Sequence, residues 1–154
     1  MPGNDLVDGL FQLSFLLQAR LSRIAAEHDL SVVQVRLLGI LRDREPGMLE
    51  LARYLELEKS SLSGLVDRAE KRGLVERIPS TDDRRAATIR VTAQGRKLSR
   101  VIAEAVNAEI DELVQVLSAA DRKRLAALAG RVVASELEPR ESRPRRNASH
   151  RTPS

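Results

Sequence analysis

Two groups of side chains carry the chemistry this sequence can offer. The first is Lys59-Ser60-Ser61, with Ser63 and Gly64, and then Arg68, Lys71 and Arg72. Small hydroxyl side chains let a backbone come close to a polyanion, and they can bond phosphate oxygens or base edges. If they open a helix, its free N–H groups add attraction for phosphate. The second is Asp83-Arg84-Arg85. Two guanidinium groups on a narrow projection suit a DNA minor groove, whose negative potential attracts arginine. Asp83, two positions before Arg85, can hold that guanidinium in one direction. Taken alone, the serines are equally well ordinary helix-start residues, and the cations solvated.

The placement of charge favours a polyanion partner. The net charge is +4, but residues 59–97 hold 10 basic against 5 acidic side chains, while residues 1–58 hold 6 against 9. Residues 98–138 are again acidic, with 5 basic and 7 acidic groups, and the tail 139–154 holds 5 arginines and 1 glutamate. A basic segment between acidic flanks is the electrostatic footprint of nucleic-acid binding.

Other functions find little support. There is no cysteine, which excludes disulfides, thiolate metal sites and thiol redox chemistry in this chain. The two histidines are His28 and His150. His28 reads as a helix-end residue, and His150 lies in the tail. No Gly-rich phosphate loop, nucleophile elbow or metal-spaced cluster occurs, so the expectation is a protein that is not an enzyme and holds no cofactor or metal. No apolar run reaches the ~18 residues of a membrane span, and the N-terminus lacks a basic leader. A cytoplasmic protein with no membrane partner is expected.

Periodicity supplies the elements that must position these groups. Leu6, Leu10, Leu13, Leu17, Leu21 and Ile24 form one stripe of a helix over 5–28. Ser31, with Gln34 as partner in a capping box, starts a second helix carrying Val32, Val35, Leu38 and Leu41. Pro46-Gly47 is a stop. A short helix follows at about 48–54, with Leu49, Leu51 and Ala52 expected inward. The next helix, 59–72, has Leu62, Leu65, Val66 and Ala69 on one face and Gly73 at its end. Leu74–Ile78 and Ala87–Val91 read as a β-hairpin with a charged tip. Thr92 caps a helix predicted to run from 93 to 117, and Ser118 caps a last one. From Glu138 the composition turns to Pro, Arg, Ser and Asn, which predicts a disordered basic tail over 138–154.

The short helix, tight turn and second helix have helix-turn-helix geometry, in which the second helix enters the major groove. The apolar stripes at both chain ends exceed what a chain of this size can cover alone, so a symmetric dimer is expected.

The run from Leu51-Ala52 through Lys59-Ser60-Ser61-Leu62-Ser63 and Leu65-Val66-Asp67-Arg68 resembles the MarR family of bacterial transcriptional regulators. So do Glu70-Lys71-Arg72-Gly73-Leu74-Val75-Glu76-Arg77, Asp83-Arg84-Arg85-Ala86 and Val91-Thr92-Ala93-Gln94-Gly95. The resemblance implies a mainly α fold: a winged helix-turn-helix with a two-stranded β-hairpin wing, and terminal helices forming a dimerisation region. It implies a single domain over 1–137, with a DNA-binding lobe at about 31–92 and dimerisation helices at 5–28 and 93–137. A homodimer then binds double-stranded DNA at a pseudo-palindromic operator, as a repressor that a small anionic or aromatic effector can release. The implied DNA-binding residues are Lys59, Ser60, Ser61, Ser63, Gly64, Arg68, Arg77, Arg84 and Arg85, with Asp83 orienting Arg85. Many members have a basic residue after the position of Ser63, where this chain has Gly64. Many have Leu at Ala69, and a Ser or Asp cap at Glu58.

Arg20, Arg23 and Arg36 are the cations nearest the expected effector site. In the tail, Arg140, Arg143, Arg145, Arg146 and Arg151 either add non-specific DNA affinity or merely solvate the chain end. The competing class is a helical protein-interaction module with a winged fold and no sequence-specific DNA reading. The arginines of the wing distinguish the two, because such a module has no need of them.

Overall fold

A computed structural model describes residues 5–80 and 87–137. Their order is α1 (Asp5–Glu27), α2 (Val32–Leu41), α3 (Met48–Leu55), α4 (Lys59–Lys71), β1 (Val75–Ile78), β2 (Thr88–Val91), α5 (Ala93–Leu113) and α6 (Ala119–Leu137). The elements through α5 form one compact unit, and α6 belongs to a second that begins at Val116. No helix among the described residues is long and apolar enough to cross a membrane.

Helix starts follow local side-chain chemistry. Ser31 and Gln34 make the reciprocal capping box of α2: Gln34 N–H donates to Ser31 Oγ at 3.2 Å, and Ser31 N–H to Gln34 Oε1 at 2.8 Å. Thr92 Oγ1 accepts the Gly95 N–H at 3.0 Å and so caps α5. Ser118 Oγ accepts the Asp121 N–H at 3.1 Å ahead of α6.

Three helices end in one way. After α1, Leu30 N–H donates back to the Ala25 carbonyl; after α3, Leu57 N–H to Ala52; after α4, Leu74 N–H to Ala69. In each case the residue before the leucine is left-handed: Asp29 at φ 54°, Glu56 at φ 53° and Gly73 at φ 72°. This is the Schellman ending, in which the apolar residue beyond the turn packs on the helix's last turn. Ala25, Leu30, Ala69 and Leu74 are buried in the core, and Ala52 and Leu57 pack against it. Ala69 therefore sits in the last turn of α4, on the side that Leu74 closes.

The core lies among α2, α3, α4 and the hairpin. Its most enclosed side chains include Leu37, Leu41, Leu51, Leu62, Leu65 and Ile89. Only the end of α1 joins it, through Ile24 and Ala25. α5 rests on α1, α2 and β2. Leu49 faces solvent at 79% exposure, because Leu51 and Leu55 set the inward face of α3 and Leu49 stands about 200° from Leu51 around the helix. The helix predicted to reach 117 stops at Leu113: Val114 leaves the helical conformation and shares its N–H between the Ile110 and Glu112 carbonyls. Leu113 and Leu117 keep a four-residue spacing across that break, so periodicity alone cannot detect it.

The hairpin is antiparallel, with Val75 opposite Val91 and Ile78 opposite Thr88. The loop before α3 joins its edge. Ile89 N–H donates to the Pro46 carbonyl at 2.8 Å, and Gly47 bridges Thr88. Pro46-Gly47 is thus both the stop after α2 and a short third rung of the sheet.

The root of the hairpin meets the start of α5 at one point. Thr92 N–H donates to the Leu74 carbonyl at 3.0 Å, and Thr92 Oγ1 donates to the Gly73 carbonyl at 2.6 Å. Gly95 lies over that crossing. A Cβ there would overlap the Leu74 carbonyl oxygen and stand 2.8 Å from Val91 Cγ2. Gly95→Ala is therefore expected to lower unfolding stability by about 1–3 kcal/mol or more, despite alanine's better helix propensity. Urea denaturation measures this, and an unchanged or raised midpoint would contradict the crowding.

Candidate nucleic-acid interface

α3 and α4 meet through Leu51, Leu55, Leu62, Leu65 and Val66, all buried. With that face in the core, α4 turns its other face outward. Glu58 stands at the N-cap with extended backbone and makes no side-chain cap bond. The first N–H groups of α4 are therefore open to an anion. Lys59, Ser60 and Ser61 are exposed beside them, and Ser63 and Gly64 are half-buried at the margin. Arg68 and Lys71 are exposed further along. None of Lys59, Arg68 and Lys71 has an ion-pair partner among the described residues. Arg68 folds back along the helix: a Cβ at residue 64 would lie 3.1 Å from its Nη1 and 4.0 Å from its Cζ.

Other cations of the basic segment, Arg72, Arg77 and Arg90, have partners within the chain. Arg72 donates to the Asp29 carbonyl at 2.7 Å and the His28 carbonyl at 3.2 Å, closing the C-terminus of α1. His28 is indeed a helix-end residue, and its backbone serves as an acceptor. Arg77 on β1 donates to Asp67 at 2.7 Å and to Glu70 at 3.0 Å, both on α4. Its own N–H also donates to Glu70. The bond to Asp67 leads the effects that raise the Arg77 pKa above its ordinary value. The structure thus places Arg77 as the tie between α4 and the hairpin, with its guanidinium half-buried. Arg90 pairs across the hairpin with Glu76 at 2.8 Å, which raises its pKa too. Asp83, Arg84 and Arg85 lie outside the described residues.

Arg20 and Arg23, one turn apart on α1, converge on Glu109 of α5. Arg20 reaches one carboxylate oxygen, and Arg23 the other at 2.7 Å. The Arg23 bond, then the Arg20 bond, holds the Glu109 carboxyl below its usual range. These two cations are therefore satisfied within the chain. Arg36 makes one long bond, 3.4 Å, to the Tyr54 carbonyl. Nothing in the sequence marks Glu109, which is separated from its partners by more than eighty residues.

A family model described as the MarR family matches residues 28–86. The chain is 30% identical over 132 residues to the HTH-type transcriptional regulator PecS of Dickeya dadantii (strain 3937), covering 82% of this chain and 79% of that protein. It is 31% identical over 112 residues to the HTH-type transcriptional regulator FarR of Neisseria gonorrhoeae, covering 71% and 75%. Among solved structures, NadR in complex with 4-hydroxyphenylacetate superimposes with a TM-score of 0.75 at 25% identity, over 90% of this chain and 97% of that one.

The Glu109 cluster has a pH signature. A carboxylate held below its usual value contributes stability that is complete above about pH 4.3 and is lost as pH falls through the depressed value. The wild type and Glu109→Gln are expected to differ in denaturation midpoint at neutral pH and to converge in acid. Midpoints that stay equally far apart down to about pH 3 would show that this titration contributes nothing.

Proposed function

The chain belongs to the MarR family of DNA-binding transcriptional regulators, and from that premise we propose that it is a homodimeric repressor of a pseudo-palindromic operator. It is a regulator and not an enzyme. The observation that carries the reading is the outer edge of α4. Lys59, Ser60 and Ser61 are exposed beside uncapped N–H groups, while the opposite face of the same helix is locked in the core. In the proposed complex, Lys59, Ser60, Ser61, Ser63, Gly64 and Arg68 meet the major groove. Arg84 and Arg85 reach the minor groove, with Asp83 orienting Arg85. Arg77 meets a phosphate at the rim with whatever donor capacity its two carboxylates leave.

The dimer is supported by apolar surface that nothing in the described chain covers. Phe11 and Phe15 form an exposed, tilted pair, with ring centroids 6.5 Å apart, and Leu6 and Leu10 are exposed on the same half of α1. On α6, Leu128, Val132 and Val133 are exposed as well. A soluble monomer rarely leaves such stripes in water. A second copy, meeting 5–28 and 93–137 with the same segments, covers them. The protein then works in the cytoplasm, where its operator lies.

NadR is described with 4-hydroxyphenylacetate, an anionic phenol. A small anionic or aromatic effector is proposed for this chain also. Arg20 and Arg23 already share Glu109, so such an anion meets Arg36 first or displaces that carboxylate. The basic tail 138–154 lies outside the described residues.

Arg85→Ala is expected to weaken binding greatly on the tightest duplex that the wild type selects from a randomised pool, while sedimentation still shows a dimer. Unchanged affinity would remove the wing from the reading, and a monomeric wild type would remove the dimer. A reporter driven by the selected site tests the sign, with repression expected.

A further inference from the structure

We infer that Gly64 and Arg68 form one reading unit, in which the missing side chain at 64 lets the Arg68 guanidinium lie one turn back and read a guanine in each half-site. The inference rests on the DNA-reading role proposed above for α4.

Helical side chains lean toward the N-terminus, and residues four apart stand one above the other. Ser60, Gly64 and Arg68 therefore share one row of α4. Arg68 uses this fully: its Nη1 lies 3.1 Å from where a Cβ of residue 64 would be. That is closer than a methyl group and a guanidinium normally approach. Residue 64 carries no side chain, so the charged end of Arg68 lies close over the bare backbone there, in tight contact range of the missing Cβ. The displacement brings the cation about 6 Å N-terminal along the helix axis. It moves from the rear of α4 toward the level of Ser60 and Ser61, and the N-terminal part of a recognition helix is the part that meets base edges. Lys59 and Arg68 are free of ion pairs among the described residues, whereas Arg72 and Arg77 are held by backbone carbonyls and carboxylates. Among the described residues, Arg68 is thus the guanidinium of α4 without an ion pair. Its rigid planar fork fixes two donors toward guanine O6 and N7, whereas a lysine ammonium is a flexible point charge.

Glycine inside a helix is otherwise a cost. Alanine at 64 would stabilise the helix, and the group in its way is the movable end of a side chain. A purely structural role for Gly64 thus predicts little effect on binding, and the pair separates the two cases.

The test uses the full-length protein, with the tightest duplex that the wild type recovers from a randomised pool and variants of it mutated one base pair at a time. Arg68→Ala is expected to weaken binding to the selected duplex roughly 10- to 100-fold and to abolish preference at one G·C pair per half-site. Arg68→Lys is expected to keep the affinity for random-sequence DNA but lose that preference. Gly64→Ala is expected to melt at the same or a higher temperature and yet lose the same preference. The double variant is expected to bind no worse than Arg68→Ala alone. Losses that multiply, a Gly64→Ala protein that reads like the wild type, or an Arg68→Ala protein weakened equally on all sequences would each overturn the unit. A wild type with no preference for any duplex would instead overturn the DNA-reading role beneath it.

Discussion

The junction of Gly73, Leu74, Thr92 and Gly95 is the constraint on which the rest of the lobe depends. Gly73 is left-handed and ends α4. The carbonyls of Gly73 and Leu74 receive the hydroxyl and the N–H of Thr92, and Thr92 Oγ1 in turn caps α5 through Gly95. One threonine thus ties the end of α4, the root of the hairpin and the start of α5. The absence of a side chain at 95 is what allows the three backbones to meet. The direction in which α4 presents its outer edge relative to the hairpin follows from that crossing.

A second constraint is the sorting of charge. The basic segment reads in sequence as one footprint, but its members do two kinds of work. Arg72 satisfies the carbonyl end of α1, and Arg96 donates at 3.2 Å to the Arg42 carbonyl at the end of α2. Arg77 and Arg90 are matched to carboxylates on neighbouring elements. These pairs are partly exposed, so each adds little stability. Their effect is geometric, since they fix angles between elements that the small hydrophobic core alone would define loosely. What is left over on α4, without an ion pair among the described residues, is Lys59, Arg68 and Lys71.

Several parts of the fold were legible because their signals are local. The capping box of Ser31 and Gln34, the caps at Thr92 and Ser118, the turn at Gly73 and the inner face of α4 depend on residues within a turn or two of one another. Asp29 and Glu56 are left-handed ends without glycine, and only the following Leu30 and Leu57, whose N–H groups donate back to the Ala25 and Ala52 carbonyls, explain them. Leu49 misled because an apolar residue at the start of a short helix has no second neighbour to fix its phase. The break after Leu113 was hidden because Leu117, in the connection to α6, continues the four-residue spacing of α5.

The sequence by itself determined which segments are helical, where most of them start, that a charged hairpin follows the second helix of a helix-turn-helix, and to which family the chain belongs. Those are matters of hydrogen-bonding chemistry and periodicity over short distances. Only the tertiary structure decided which cations are free. Arg20 and Arg23 meet Glu109, Arg72 meets α1, and Arg77 meets α4 across separations that no local pattern records. A charge in sequence is only a sign and a position along the chain. Whether it faces a partner or a ligand depends on which carboxylates and carbonyls folding brings within about 3 Å of it.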